Sequence, residues 1–452
     1  MSKWVLTDRE QALLLPPSID ELLPEDHLAR FVVEVCDQLD LSPIVSKYER
    51  RGRGSTPYHP AMMLALLFYG YATGTMSSRK IERGCRYDLA FRYIAAGHAP
   101  DHDTIATFRR RHLPEISQIF VHILLLAREM GFLKVGTVAI DGTKVRANAS
   151  KHASVSYKRA QVLEKRFAAE VNQLLKMAEE ADNTPRAEGI DIPAEIARRE
   201  KRIERLREAQ IAIIERHGEK VLGEYEKAAE DYLNKLESDI EEDRRPSGDP
   251  PDPPDTTPPD SAQYNFTDPD SRIMPEGGGA FCQAYNAQAA VDCKTMLIVG
   301  QHLSQCPNDK RELLPALDSI NKTVGTPALA LADSGYFSAD NINKAPVAVL
   351  IAPRKTRHNQ PLRERLAPAA KPEAEPQHAS AAERMRHRLA TAEGRANYRL
   401  RKMTVEPVFG IIKATMGLRQ FLLRGAENVR GEWALACTAY NITKLWRLKT
   451  AG

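Results

Sequence analysis

The spacing of hydrophobic positions divides the chain into helical and strand-rich regions. Residues 20–131 follow a helical pattern, and the apolar segment 60–71 predicts a buried helix that begins at a proline. Short polar breaks separate the helices, and we expect one helical domain over residues 1–131. The β-branched run within residues 132–150 then predicts a strand that carries Asp141.

Two interruptions follow this first strand. Residues 151–245 are rich in Ala, Glu, Lys and Arg with apolar residues at helical spacing, and they predict two long helices broken near Pro185 and Pro193. This insertion suits a coiled-coil dimer contact or a helical hairpin folded on itself, and its heptads are too few to decide between them. Residues 246–262 are so rich in proline that we expect an extended linker.

Strand patterning returns in the last part, residues 263–452. Segments 281–292 and 296–303 predict a hairpin, and segments 328–333 and 347–353 predict buried strands separated by short helices. A basic insertion over residues 354–397 precedes two C-terminal helices. The predicted fold class is therefore α/β, a mixed sheet flanked by helices, with an all-helical N-terminal domain and a helical insertion.

Composition narrows the class of protein only a little. The 452 residues are 42% hydrophobic and 27% charged, as in ordinary globular proteins, and the net charge of +4 is too mild to indicate nucleic acid by itself. Six scattered cysteines show neither zinc-ligand spacing nor a disulfide framework. The N-terminus lacks the apolar segment of a signal peptide, and the longest apolar run is too short to span a bilayer. We therefore expect a cytoplasmic protein without a membrane partner.

Three acidic residues are candidates for catalysis: Asp141, Asp333 and Glu406. The two aspartates each end an apolar strand, where open sheets bind ligands, and Glu406 belongs to a later helix that can pack across those ends. Carboxylates without His or Cys at ligand spacing favour Mg²⁺ or Mn²⁺, and two such ions can promote displacement at phosphorus. An aspartate near a glycine is more often a turn residue, so only the order of the surrounding elements favours a catalytic site.

Other residues near these acids have simpler interpretations. Asn308 and Asp309 are predicted to cap the following helix rather than to supply a fourth metal ligand. Asp292 fits either role and stays outside the predicted site. Phe409 and Ile412 are predicted to be core contacts of their helix rather than wedges in DNA.

The order of elements resembles ribonuclease H-like catalytic domains, and several long segments resemble bacterial insertion-sequence transposases of the DDE type. These segments are RGRGSTPYHPAMMLALLFYGYATGTMSSRKIER and PDHDTIATFRRRH in the helical part, and IDGTKVRANASK, GGGAFCQAYNAQAAVD, LADSGYFS and VEPVFGIIK in the catalytic part. The resemblance covers nearly the whole chain. It implies a ribonuclease H-like catalytic domain in which Asp141, Asp333 and Glu406 hold two Mg²⁺ (or Mn²⁺) ions.

The C-terminal signature of that family resembles Tyr398, Arg401, Glu406 and Lys413. The resemblance implies that Arg401 and Lys413 contact phosphates near the cleaved end and that Tyr398 positions the strand. Four residues separate Arg401 from Glu406, one more than in the best-known form of the signature. The alternative is an ordinary amphipathic helix with solvated ends.

Clustered basic residues are candidates for DNA contacts. Residues 384–402 contain seven basic residues and one acid, a net charge of +6 with histidine neutral, which suits binding of backbone phosphates. Within this segment we single out Arg399 and Lys402. In the helical domain the candidates are Arg79, Lys80, Arg109 and Arg110, although such clusters are more often solvated faces.

The sequence therefore predicts a DNA transposase that cleaves one strand at each element end and joins the exposed 3′-hydroxyl to target DNA. The expected partners are double-stranded DNA, as terminal inverted repeats and as target, and further copies of the chain in a homodimer or higher oligomer. When bound to DNA the protein would be associated with the nucleoid. The alternatives are a ribonuclease H-like nuclease or resolvase without strand transfer, a non-catalytic DNA-binding protein derived from a transposase, and a hydrolase of small phosphate esters.

Overall fold

The chain forms two compact units. The structure, a computed structural model, describes residues 18–49, 56–182, 191–241, 248–276, 279–354 and 379–451. The larger unit comprises Met1–Asn148, Ile273–Ala280 and Ala284–Gly452, and the smaller unit comprises Ala149–Arg272 and Phe281–Gln283. The predicted break near Pro185 lies outside the described residues, and so do residues 355–378 of the predicted basic insertion.

Helices form the N-terminal part of the larger unit. They are α1 (Ile19–Leu22), α2 (Leu28–Asp37), α3 (Ser42–Glu49), α4 (Pro60–Ala72), α5 (Ser78–Tyr87), α6 (Leu89–Ile94), α7 (His102–Arg111) and α8 (Leu113–Glu129). Proline in the first turn of α4 needs no amide partner, and Nδ1 of His59 accepts a hydrogen bond from the Ala61 amide. Almost every residue of α4 is buried. Helix α4 is therefore surrounded by neighbours, among them α2, α5, α6 and α7.

A six-stranded mixed sheet forms the catalytic part. The strands of the chain are β1 (Thr137–Arg146), β2 (Ser154–Ser156), β3 (Gln263–Asn265), β4 (Arg272–Pro275), β5 (Phe281–Asp292), β6 (Ile298–Ser304), β7 (Leu329–Ala332) and β8 (Ala348–Ile351). The order in the sheet is β4-β5-β1-β7-β8, and β6 also pairs with β5. Strand β5 is antiparallel to β1 and β6, whereas β7 is parallel to β1 and β8. The predicted hairpin and the predicted mixed sheet are both confirmed.

Further helices complete the chain. They are α9 (Tyr157–Asp182), α10 (Ile192–Glu241), α11 (Leu313–Asp318), α12 (Ala339–Lys344), α13 (Ala381–Ala390), α14 (Ala392–Gly410) and α15 (Ala426–Ala451). Helix α14 packs against β1 and β7. Helix α15 packs against α4 and α8 on one side and β6 on another. Because α15 contacts both groups, it links the N-terminal helices to the sheet.

A buried polar cluster strengthens this link. The Tyr71 hydroxyl on α4 donates to Oε1 of Glu432 on α15 (2.9 Å), and Arg109 on α7 donates from Nη1 to the Tyr71 hydroxyl (3.3 Å). Glu432 also accepts from the amides of Leu422 and Leu423. Burial raises the pKa of Glu432, and the nearby Arg109 lowers it. The hydrogen bonds and the nearby cation of this cluster offset the free-energy cost of removing the Glu432 carboxyl from water.

The smaller unit is built on a helical hairpin. Helices α9 and α10 run antiparallel and pack along each other, with ion pairs from Arg207 to Glu164 and from Arg199 to Glu170. The core is formed by Val155, Ala160, Phe167, Ile203, Leu206 and Ala209. The insertion thus takes the self-folded arrangement within one chain. The described part of the proline-rich segment, residues 248–262, belongs to this unit, and its Ala262 carbonyl accepts a hydrogen bond from the Tyr157 amide.

The burial of Arg109 predicts a stability difference between two neighbouring arginines. Replacing Arg109 by Ala leaves the buried Glu432 without its nearby cation and should lower the free energy of unfolding by about 3 kcal/mol or more. Arg110→Ala on the same helix removes an exposed side chain and should change it by less than about 0.5 kcal/mol. Chemical denaturation of both variants checks this. Equal, small effects would contradict the assigned role of Arg109.

Candidate catalytic site

Strand pairing brings Asp141 and Asp333 together. Val138 lies opposite Ala330 and Ala139 opposite Leu331 in the parallel β1–β7 pair, so two further steps along each strand place the aspartates side by side. Neighbouring strands lie about 4.8 Å apart. Oδ1 of Asp141 accepts from the Gly142 amide (2.8 Å), and Oδ1 of Asp333 accepts from the Gly335 amide (2.7 Å). Each carboxylate is therefore oriented by the backbone amide of a glycine one or two residues further along the chain.

The sequence-based prediction that Asp141 ends its strand was wrong. Strand β1 continues to Arg146, because β5 keeps pairing with it as far as Ala284. Strand β7, in contrast, ends at Ala332. Asp141 thus lies inside β1 but beyond the last pair that β1 makes with β7, which leaves its side chain partly open next to Asp333.

A fourth acid that the sequence prediction left out lies at the same place. Asp309 was interpreted as a helix cap, but the residue in the capping position of α11 is Glu312. Oδ1 of Asp309 accepts hydrogen bonds from Asn286 Nδ2 (2.7 Å) and Gln288 Nε2 (2.8 Å), and Lys144 Nζ lies 3.4 Å away. A sequence signal was present, since Asn286 and Gln288 are polar residues in the mostly apolar middle of β5.

Gly142 makes this convergence possible. Gln288 pairs with Gly142 across β1 and β5, and its amide lies over the glycine. A Cβ at position 142 would come within 2.1 Å of Gln288 Nε2 and 2.8 Å of Asp309 Oδ1. Any side chain at position 142 would therefore displace the Gln288 amide that donates a hydrogen bond to Asp309. The glycine that follows Asp141 serves close packing over the strand rather than a turn.

The surroundings of Asp141 raise the pKa of its carboxyl. Burial raises the pKa of Asp141 to about 7, the Gly142 amide and Arg401 oppose the shift, and the charges of Asp333 and Asp309 add to it. The buried Tyr336 hydroxyl donates to Oε1 of Gln288. Its pKa is raised by burial and then by the same three aspartates. Burial is the largest cause of both shifts, and the neighbouring carboxylates add to it.

Helix α14 brings the residues of the C-terminal signature to this cluster. Arg401 is almost completely buried, and its Nη1 lies 3.5 Å from Oδ2 of Asp141 while its Nη2 lies 3.6 Å from Oε1 of Glu406. Tyr398 is hydrogen-bonded to Arg401, and burial raises its pKa. Glu406 is 55% exposed. The extra residue between Arg401 and Glu406 therefore does not keep Arg401 away from the acids.

A π-helical turn, Ile411–Thr415, follows α14 and carries Lys413. Such turns are frequent at functional sites. Lys413 Nζ donates to the carbonyl of Lys144 in β1 (2.9 Å). Phe409 and Ile412 are buried, which confirms the prediction that they are core residues. Asp292 accepts hydrogen bonds from the amides of Lys294 and Thr295 in the β5–β6 turn.

The basic residues predicted to contact DNA differ in their exposure. Arg399 and Lys402 on α14, like Arg79, Lys80 and Arg110 in the N-terminal helices, are exposed. The choice of Arg109 requires correction, because its guanidinium is buried against Tyr71 and the Met76 carbonyl. Its place in the polar cluster with Glu432 leaves it no surface to offer DNA. Sequence clustering cannot separate Arg109 from its exposed neighbour.

The donors suit a hard divalent cation, although the side chains are not gathered around one point. Within the described ranges, no three His, Cys, Asp or Glu side chains are grouped closely enough to hold one metal ion as they stand. The Arg401 guanidinium lies between Asp141 and Glu406. Asp141 and Asp333 supply only oxygen atoms, and the raised pKa of Asp141 shows that a nearby positive charge would be favourable. The donor set therefore fits Mg²⁺ or Mn²⁺.

The raised pKa of Asp141 predicts a pH-dependent stability difference. The folded-state pKa of about 7 lies above the unfolded value, so the wild-type protein loses stability as pH rises from about 4 to 7. Asp141→Asn keeps the acceptor for the Gly142 amide and removes this loss. In metal-free buffer at about pH 8, we expect the free energy of unfolding of the variant to exceed that of wild type by roughly 2–4 kcal/mol. At about pH 4.5 the two free energies of unfolding should differ much less. Urea denaturation at both pH values measures it, and an unchanged difference contradicts the account.

None of the helices within the described ranges combines the length and hydropathy that a bilayer-spanning segment needs. Comparison with protein families gives two matches. Residues 17–111 match a family described as "Transposase domain (DUF772)", and residues 258–442 match one described as "Transposase DDE domain". Neither the search of curated proteins nor the search of solved structures gives a match.

The two matches fall on different parts of the fold. The first covers α1 to α7, and the second runs from β3 into α15. Strand β1 and the helical hairpin lie between them. The mixed sheet, with β6-β5-β1 antiparallel and β7 and β8 parallel to β1, joins β1 to the matched catalytic part. The chain therefore belongs to the insertion-sequence DDE transposases, enzymes of DNA transposition with a helical N-terminal domain and a ribonuclease H-like catalytic domain.

Proposed function

We propose that this transposase cleaves one DNA strand at each end of its element and then joins the exposed 3′-hydroxyl to target DNA. One observation supports this most strongly. Asp141 lies outside both matched segments, yet the pairing of β1 with β7 places it beside Asp333. Glu406 on α14 contacts the Arg401 guanidinium, which also contacts Asp141 at this end of the sheet. The presence of all three acids at one end of the sheet, with Arg401 between Asp141 and Glu406, favours an enzyme over a non-catalytic DNA-binding protein.

Asp141, Asp333 and Glu406 are the residues that would hold divalent metal ions. Two bound Mg²⁺ or Mn²⁺ ions supply activation of a water or 3′-hydroxyl and stabilisation of the leaving oxygen at phosphorus. The protein holds Asp141 and Asp333 with the amides of Gly142 and Gly335, so both carboxylates are oriented before any ligand binds. Preorganised groups of this kind need no rearrangement when charge develops at the phosphate.

Arg401 has the position and charge to receive a DNA phosphate. Its guanidinium bridges Asp141 and Glu406 at 3.5 and 3.6 Å, which are long contacts for a charged hydrogen bond. Its buried Nε makes no hydrogen bond among the described residues. Arginine binds phosphate through paired donors. Because the Arg401 side chain is only 9% exposed, a phosphate would reach these donors only if the guanidinium moved away from Asp141.

DNA binding around the site is assigned to exposed cations on α14. Arg399 and Lys402 flank Arg401 on this helix and are both exposed. Lys413, on the π-helical turn, lies beside β1. We assign recognition of the terminal repeats to the N-terminal helices, where Arg79, Lys80 and Arg110 are exposed. Because an element has two ends, at least two copies of the chain would act together.

The acidic site predicts a specific pattern of lost activity. Asp141→Asn, Asp333→Asn and Glu406→Gln should each lower cleavage and joining of labelled element ends about a thousand-fold or more, since metal ligation contributes several kcal/mol to such reactions. Asp340→Asn removes an exposed aspartate near the site and should leave both steps unchanged.

Gel analysis of both products in Mg²⁺, with EDTA as the metal-free arm, measures this pattern. Cleavage without joined product from wild type would favour a nuclease or resolvase over a transposase. Joining by Asp333→Asn would overturn the site assignment.

Charge on α14 predicts a change in salt dependence. The double variant Arg399→Ala/Lys402→Ala should weaken binding of element-end DNA several-fold and reduce the slope of log affinity against log salt by about 2. Lys220→Ala/Lys322→Ala carries the same change in net charge at exposed positions elsewhere and should leave the slope unchanged. Fluorescence anisotropy over a range of salt concentrations distinguishes them. Equal slopes for the two variants would exclude α14 from the DNA-binding surface.

A further inference from the structure

Asp309 lies in the turn between β6 and α11, and its carboxylate is held over the centre of the sheet. Oδ1 accepts from Asn286 and Gln288, two residues that point to the same face of β5, and lies 3.4 Å from Lys144 Nζ. Asn286 and Gln288 are completely buried. Asp309 is thus fixed by residues whose own positions are set by the β1–β5 pairing.

The second oxygen of Asp309 has a different environment. Oδ2 makes no hydrogen bond or ion pair with any residue that the structure describes. A Cβ built on Gly335 would lie 3.8 Å from Asp309 Oδ2 and 2.9 Å from Asp333 Oδ1, so the two carboxylates face one small space beside this glycine. One oxygen of Asp309 is therefore anchored, and the other is available on the side of Asp333.

The charges around this space do not balance. Asp141, Asp309 and Asp333 contribute three carboxylates, and Glu406 adds a fourth through Arg401. Among the residues that the structure describes, the cations in contact with them are Lys144, at Asp309, and Arg401, at Asp141 and Glu406. Two monovalent cations leave an excess of negative charge that a divalent ion would neutralise.

An independent feature of the cluster also indicates a missing ligand. Asn286 is 0% exposed, and its Oδ1 has no hydrogen-bond partner among the described residues. This oxygen and Asp309 Oδ1 both lie 2.8 Å from the position that a Cβ on Gly142 would occupy. Buried acceptors are normally paired, by protein, water or an ion. An ion, or water bound to an ion, beside Asp309 would supply the partner.

We propose that Asp309 is a fourth metal-binding carboxylate of this site, with Oδ1 anchored by Asn286 and Gln288 and Oδ2 directed to the ion. The proposal rests on the metal-dependent function proposed above and adds a ligand to it. Oxygen donors from carboxylates and amides are the ligands that Mg²⁺ and Mn²⁺ prefer. The competing explanation is that Asp309 only fixes the turn between β6 and α11.

Asp309→Asn separates these explanations because asparagine keeps an oxygen that accepts from Asn286 and Gln288 but has no negative charge. Binding of Mn²⁺ to the full-length, DNA-free protein, followed by electron paramagnetic resonance, should weaken about ten-fold or more. The melting temperature without metal should stay the same or rise, and the rise that Mn²⁺ causes in wild type should shrink. Asp318→Asn, an exposed aspartate at the end of α11, is the matched control and should behave as wild type.

Two results would overturn the proposal. The first is an unchanged Mn²⁺ affinity in Asp309→Asn. If the metal-free melting temperature of this variant also fell, Asp309 would have a structural role only. The other concerns Asp309→Glu, which keeps the charge and should bind Mn²⁺ more tightly than Asp309→Asn. Equal Mn²⁺ binding by folded Asp309→Asn and folded Asp309→Glu excludes a ligand role. The DNA assays with Asp141, Asp333 and Glu406 variants test the proposed function separately, so either idea can fail alone.

Discussion

The position of β1 at the centre of the sheet is the constraint on which the site depends. This strand pairs with β5 along its whole length and with β7 only over its first three residues. The pairing with β7 is therefore shorter than the pairing with β5. On the β7 side, β1 has no strand partner at Asp141, which lies next to the end of β7 and Asp333. A one-residue shift in the register would turn Asp141 into the opposite face of the sheet and separate the acids. The arrangement of Asp141 and Asp333 is therefore a consequence of strand pairing.

Burial and charge together determine the electrostatics around Asp141. Burial and neighbouring aspartates raise the pKa of Asp141 to about 7, and the surroundings respond with Arg401, Lys144 and backbone amides. These groups reduce the negative charge without cancelling it. Perturbed carboxyl groups of this kind are common at functional sites.

The sequence predicted the elements well because their signals are local. Helix α4, the β5–β6 hairpin and strands β7 and β8 each carry their own pattern of apolar residues and punctuation. The three acids were singled out by the order of the elements around them and by the family resemblance, and their catalytic role stays a prediction. What the sequence could not indicate depends on contacts between distant segments. The placement of Asp309 depends on β5, reached only after folding, and Arg109 and Arg110 are sequence neighbours with opposite burial.

The most direct test is to locate the metal. A structure of the protein with a DNA end and Mn²⁺, determined with anomalous scattering, shows where the ions bind. The account predicts anomalous density in contact with Asp141 and Asp333, with the Arg401 guanidinium moved from Asp141 to a DNA phosphate. Density elsewhere, or Arg401 still bridging Asp141 and Glu406 with DNA bound, would contradict it.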